Sequence, residues 1–451
     1  MSPEPKKPNI LFILTDQQRW DTCGVYGQPL SITPNLDRLA AEGTRFEYAF
    51  TPQPVCGPAR ACLQTGKYAT EVGCHVNHRM LPMHEDTLAK ILSRHGYETG
   101  YIGKWHLASF GPHGGADDFR LLPVPPERRG GYLDYWLASD VLEFTSHSYD
   151  GHMFDGQGNQ HEFPSQRYRV DAQTDWVLEY LQTCTGEKPF FLFVSYLEPH
   201  HQNDHQHYEG PHGSKQEFKD FHPPSDLLNL EGDWRQEYPD YLGCVHAIDQ
   251  NLGRIFDQLA QQELLQNTLI IFTSDHGSHF RTRNSEYKRS CHDGCIRIPL
   301  VLSGPGFNAG KVLPNLVSLI DLPPTILFTA GVQVPRAMQG RPLQPLVNDP
   351  NTPWLDEVFL QISESQCGRA IRTPRWKYAV RAPHKSGSDP SSDVYMEDFL
   401  YDLQLDPFEQ NNLVAQPDLA AIRLELADRL IQRMVTAGEM APKIIPWGEN
   451  R

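Results

Sequence analysis

Asn9-Ile10-Leu11-Phe12-Ile13-Leu14-Thr15-Asp16-Gln17 is a short, nearly continuous apolar run that ends abruptly in polar residues. A strand with one wet face alternates apolar and polar residues, whereas a continuous run marks a strand buried on both faces, as in a helix-flanked parallel sheet. Phe190–Tyr196 and Leu269–Thr273 repeat the pattern. Between these runs, Thr87–Arg94 and Tyr168–Leu181 place apolar residues at helical spacing, and Leu242–Leu259 does so after an expected turn. Strand alternating with helix predicts an α/β sheet with helices on both faces.

After about Pro345 the pattern changes. Val358–Ile362, Ala370–Arg372, Trp376–Val380 and Phe399–Leu403 read as short strands, followed by an amphipathic helix from Asp418 to about Ala437. Leu419, Ile422, Leu426, Leu430 and Met434 line one face of that helix and are expected in a core. The division predicted is therefore 1–345 for the α/β domain and 346–451 for a smaller α+β subdomain, with Lys385–Ser392 as a loop.

The chain has 451 residues, long enough for one large domain and a smaller one. A formal net charge of −16 disfavours broad attraction to nucleic acid or to anionic membrane, so an anionic substrate would need a local basic pocket. No apolar run approaches the length of a membrane span, and Ile10–Leu14 is too short for a signal-peptide core. The expected location is cytoplasmic as the sequence stands, or periplasmic or secreted where an export signal has been removed. Nine cysteines are scattered without a CxxC pair, which argues for thiols rather than a disulfide framework.

Polar residues of one kind follow three of the buried strands: Asp16 and Gln17, His200 and His201, and Asp275 and His276. Ligands of open α/β sheets bind beyond the carboxyl ends of the strands, so residues distant in sequence can meet there. Two acids, an amide and a histidine suit a divalent cation. His205, His207 and His212 lack a recognisable zinc-ligand spacing and read as a surface or substrate loop.

Two further motifs sharpen the reading. Val55-Cys56-Gly57-Pro58-Ala59-Arg60, continuing to Leu63-Gln64-Thr65-Gly66, resembles the C-x-P-x-R signature of type I sulfatases. Gly96-Tyr97-Glu98-Thr99-Gly100-Tyr101-Ile102-Gly103-Lys104-Trp105-His106 resembles that family's other signature. The similarity extends through Thr15–Gln18, Thr33–Asp37, Ser274–Gly277, Gly294–Pro299, Leu400–Leu403 and Asp406-Pro407; the stretches near 111–168 and 202–239 do not match.

The resemblance implies an alkaline-phosphatase-like sandwich, with a large mixed sheet between helices in a catalytic domain and a C-terminal α+β subdomain. It implies that Cys56 is oxidised by a formylglycine-generating or other maturation enzyme and hydrated to a geminal diol. One hydroxyl attacks sulfur and expels the alcohol, and proton loss from the other releases sulfate and restores the aldehyde. The implied metal ligands are Asp16, Gln17, residue 56, Asp275 and His276, around Ca2+. Gln17 and His276 depart from the common form of the family, where Asp and Asn stand. Arg60 is expected to hold the hydrate or its loop, and Lys104 and Lys288 to hold sulfate oxygens, with Arg289 the rival of Lys288. His106 is assigned to the diol and His200 to the leaving oxygen, with His201 as its alternative.

The expected substrate is a sulfated carbohydrate or another small sulfate ester. The unmatched middle segments are rich in Trp, Tyr, His, Asn and Asp that could stack on sugars and hydrogen-bond to them. Two alternatives stay open: a phosphonate monoester or phosphodiester hydrolase of the same fold, and a carbohydrate-binding relative without turnover.

Overall fold

The computed structural model describes residues 6–111 and 113–448. Its large sheet is built from β1 (Asn9–Thr15), β2 (Thr44–Phe50), β3 (Glu98–Lys104), β4 (Tyr135–Ser139), β5 (Ser146–His147), β6 (Asp150–Asp155), β7 (Gln160–Glu162), β8 (Phe190–Ser195), β9 (Thr268–Ser274), β10 (Arg297–Ile298), β11 (Leu300–Ser303) and β12 (Lys311–Ser318). The order is β10-β2-β11-β9-β1-β8-β3-β4-β6-β5, with β12 against β2 and β7 against β6. The centre, β9-β1-β8-β3-β4, is parallel. β11 and β6 join it antiparallel on either side, which makes the sheet mixed.

The three apolar runs are adjacent: β1 lies between β8 and β9, and every residue of the three strands is buried. Successive side chains of β1 go to opposite faces. Ile10, Phe12 and Leu14 pack with the helices Cys56–Thr65, Leu88–Arg94 and Leu322–Thr329, while Leu11 and Ile13 pack with Pro34–Glu42, Arg169–Thr183 and Trp234–Gln261. A strand wet on neither side has no use for polar residues, which explains the continuous run.

The helix expected at Leu242–Leu259 begins earlier, at Trp234, and runs unbroken to Gln261 with Pro239 inside it. Pro239 lacks only the amide that would reach back to Arg235, and the buried face from Tyr238 through Leu259 holds the helix together across that gap. The expected turn before Leu242 is thus absent.

The second sheet comprises β13 (Val358–Ile362), β14 (Gly368–Arg372), β15 (Trp376–Arg381), β16 (Val394–Asp402) and β17 (Lys443–Ile445), in that order. Val358, Leu360 and Ile362 face Phe50, Ile296 and Leu316 of the large domain, whereas Phe359 turns to the other side. There the helix Ala420–Thr436 covers the sheet with Leu426, Leu430 and Met434, flanked by the half-buried Leu419 and Ile422. Lys377, buried in this sheet, pairs with Asp293 and Glu409. No helix among the described residues is long and apolar enough to cross a membrane.

Candidate active site

The site forms where parallel strands release their chains side by side. Thr15 of β1 is in register with Ser274 of β9, so Asp16 and Asp275 emerge as neighbours. The Asp275 amide donates to the Thr15 carbonyl at 3.1 Å, and the Gln17 amide donates to Asp275 Oδ1 at 3.1 Å. Cys56 opens the helix Cys56–Thr65, and Arg60 lies one turn further on the same face. Lys104 ends β3, His200 follows β8, and Lys288 comes from the loop after β9.

Cys56 Sγ is the point of convergence. Lys288 Nζ lies 2.8 Å from it, His276 Nε2 3.3 Å and Asp16 Oδ1 3.4 Å. Asp16 Oδ2 accepts from Lys104 Nζ at 2.8 Å and from Arg60 Nη2 at 3.1 Å, and Arg60 Nε is 3.3 Å from Asp275 Oδ2. Arg60 also donates to the Lys104 carbonyl and to Ser195 Oγ. The Lys104 ammonium is shared with Glu143 at 3.0 Å.

These charges are all out of water, where an unpaired one is costly. Burial would raise the Asp16 carboxyl, but Lys104 and Arg60 outweigh it and hold Asp16 well below the usual carboxylate range. Asp275 goes the other way, raised by burial and then by the Asp16 charge beside it. Burial pushes the Cys56 thiol up to about 12, with Asp16 adding to the effect. Burial and neighbouring ammonium groups hold His106, His200 and His276 well below the ordinary histidine value, so all three are neutral near pH 7.

Hydrogen bonds orient the donors. His276 Nδ1 donates to the Gly277 carbonyl at 2.9 Å, which leaves the Nε2 lone pair facing Cys56 and Asp275. Gln17, at φ 70°, donates through Nε2 to Tyr208 Oη at 2.5 Å, and its buried Oε1 has no hydrogen-bond partner among the described residues. Asp275 Oδ2 accepts no hydrogen bond among the described residues and has the Arg60 Nε ion pair beside it. Asp16, Cys56, Asp275 and His276 each offer a ligand atom within 4.8 Å of the others.

The structure discriminates between the paired candidates. His200 Nε2 is 3.2 Å from Lys288 Nζ, whereas His201 stacks on Tyr287 and bonds Asn203. Arg289 is turned away into pairs with Glu286 and Glu364. His106, at φ 60°, is buried with neither ring nitrogen bonded among the described residues, and its carbonyl lies 3.4 Å from where a Cβ on Gly57 would stand. The same Cβ would be 3.0 Å from Asn77 Oδ1, which accepts from the Gly57 amide, so a larger residue there would crowd that side chain.

Sequence reasoning missed Asp140, Glu143 and Tyr208. Asp140 accepts from the amides of Leu107, Ala108 and Ser109 and so fixes the chain that leaves Lys104 and His106. The signal for Asp140 was present: Tyr135–Ser139 is another apolar run closed by an acid, as β1 and β9 are. Glu143 and Tyr208 carry no such mark.

With this geometry in hand, comparison with known proteins is direct. The sequence matches the Sulfatase family over residues 8–332, and the N-sulphoglucosamine sulphohydrolase C-terminal family over residues 285–436. It is 31% identical to an ulvan-active sulfatase of Formosa agariphila, over 97% of this chain and 83% of that protein. It is 28% identical to an N-acetylglucosamine-6-O-sulfatase of Bacteroides thetaiotaomicron, over 95% of this chain and 86% of that one. The crystal structure of the yidJ protein from Bacteroides fragilis superimposes with a TM-score of 0.82 at 26% identity, covering 97% of this chain and 98% of that one. The fold and strand-end site define a hydrolase of the alkaline phosphatase superfamily. Within it the chain belongs to the sulfatase family and is a sulfuric ester hydrolase.

Proposed function

We propose that the chain hydrolyses a sulfate ester on a sulfated carbohydrate, with residue 56 as formylglycine and Ca2+ as the resident cation. The observation that carries this reading is the position of residue 56, between the Lys288 ammonium at 2.8 Å and the metal-type donors Asp16 and His276. A thiol with its proton held to about pH 12 is a poor nucleophile there. Hydrated formylglycine supplies two hydroxyls on one carbon, one to attack sulfur and one whose deprotonation expels sulfate.

Asp16, Gln17, Asp275 and His276 would hold the cation, together with residue 56. The fit rests on the buried Gln17 Oε1, which has no hydrogen-bond partner among the described residues and whose desolvation a cation offsets, beside the carboxylates of Asp16 and Asp275. Two carboxylates and an amide oxygen favour a hard ion, and calcium tolerates the mixed set better than magnesium. When bound, the ion supplies positive charge against the incoming anion.

The chain's own residues do the rest. Lys288, next to residue 56, takes a sulfate oxygen, and Lys104 adds positive potential while keeping Asp16 ionised. Arg60 ties both aspartates to the nucleophile's helix. Neutral His106 has free nitrogens to accept the diol proton. His200 is neutral, and its Nε2, 3.2 Å from the Lys288 ammonium, relays a proton from that group to the departing leaving oxygen. The carbohydrate assignment is supported by the N-acetylglucosamine-6-O-sulfatase relative and by the ring pair His201 and Tyr287 beside Lys288. All ten residues of the Cys56–Thr65 helix are buried, so a maturation enzyme would have to reach Cys56 before folding is complete.

The test is release of inorganic sulfate and phosphate from sulfated saccharides, aryl sulfates and phosphodiesters by protein co-expressed with a formylglycine-generating enzyme. Sulfate from one saccharide class, lost in Cys56→Ala, is expected. Phosphodiester cleavage with sulfate esters untouched would reject the substrate class.

A further inference from the structure

A second set of ligand-type side chains meets outside the active site. Asp204, His205, His207 and Glu209 lie on the loop that leaves His200, and β5 with its turn into β6 brings His147, Ser148 and Asp150 against it from a distant part of the chain. In two overlapping groups, His147 with Asp204 and His205, and His205 with His207 and Glu209, donor atoms lie within 4.8 Å of one another. The group borders a cavity of about 300 Å³.

The hydrogen bonds around these side chains prepare particular atoms. His147 Nδ1 is 3.0 Å from Asp150 Oδ1, which leaves Nε2 toward Asp204 Oδ2 at 2.9 Å. His207 Nδ1 donates to the Tyr208 carbonyl at 3.0 Å, which leaves the Nε2 lone pair toward Glu209 Oε1 at 3.8 Å. His205 Nδ1 bonds the same Glu209 oxygen, and Glu209 Oε2 accepts from Ser148 Oγ at 2.6 Å. The His147 and His205 rings stack at 4.3 Å, an arrangement unfavourable for two imidazolium ions. An outer nitrogen held by a carboxylate or carbonyl, with the inner one facing shared acids, is the usual environment of a metal-binding histidine.

We propose that His147, His205, His207 and Glu209, with Asp204 beside them, form a binding site for a divalent transition metal of the zinc or nickel class. Imidazole with carboxylate selects such ions, whereas the oxygen-rich site at Asp16 and Asp275 suits calcium. In the metal-free protein the carboxylates bond the histidines, and binding replaces those contacts with release of protons. The ion would fasten the loop after His200 to the β5–β6 hairpin. Gln202 extends the connection inward, since its Nε2 donates both to Asp204 Oδ1 at 2.8 Å and to the carbonyl of Glu143, the residue that pairs with Lys104.

The experiment is calorimetric titration of calcium-saturated protein with Zn2+, and in parallel with Co2+ followed by visible absorption, in wild type and in His205→Ala/His207→Ala. One equivalent of zinc in the wild type, weakened at least roughly tenfold in the double variant with loss of the cobalt bands, is the expected result. No zinc bound beyond any that displaces the calcium, or equal binding by the variant, would overturn the proposal. Should the double variant not fold, His147→Gln, on the opposite side of the cluster, gives the same readout.

Discussion

The donors around Cys56 and those around His205 are similar side chains in opposite surroundings. Asp16, Asp275 and His276 are 0% exposed, and each charge among them is answered by Arg60, Lys104 or Lys288. The His205 and His207 side chains are 42% exposed, and their carboxylate partners reach water as well. In the interior an uncompensated charge costs several kcal/mol, so the active-site network must be complete before any ligand arrives. At the surface the same pairs contribute little, and the donors can await an ion without destabilising the chain.

That contrast can be broken in graded ways. Arg60→Leu should be the most damaging to the fold, since it strands Asp16 and Asp275 together; a loss of about 3–5 kcal/mol is expected in denaturant melts with chelator present. A smaller loss would mean that the two acids share a proton and need no guanidinium. Lys288→Ala should lower kcat by about 10²–10³-fold in matured enzyme with calcium still bound, because it removes charge aimed at the sulfate rather than a metal ligand. Tyr208→Phe frees Gln17 Nε2 from its partner and should weaken calcium binding about tenfold by calorimetry, with turnover restored at high calcium. At the small end, His207→Ala in chelator should change stability by no more than about 0.5 kcal/mol. A larger effect would show that the surface cluster carries structural load without an ion.

Much of this division was legible in the sequence. β1, β8 and β9 were readable because burial on both faces removes alternation, and their polar exits marked Asp16, His200 and Asp275. Lys288 came from the family resemblance, and the structure places it, rather than Arg289, against Cys56. The edge strands β5 and β7 were not readable. They are two and three residues long, and β7 is wholly exposed, so no hydrophobic pattern was imposed on them. The start of the long helix at Trp234 was hidden by Pro239, whose local preference is overridden by the packing of Tyr238, Tyr241 and Leu242. Glu143 and Tyr208 escaped for another reason. Their roles, pairing with Lys104 and orienting Gln17, exist only through tertiary contacts that leave no periodic trace. The same holds for His147, without which His205 and His207 look like an ordinary polar loop.

The central claim, that residue 56 acts as formylglycine, is tested most directly by measuring the converted fraction of the Cys56 peptide by mass spectrometry against sulfate release. Preparations with graded co-expression of a maturation enzyme supply the range. Turnover rising in proportion to the aldehyde fraction, and vanishing with it, is the predicted result. Equal turnover from protein in which residue 56 remains a thiol would contradict the account.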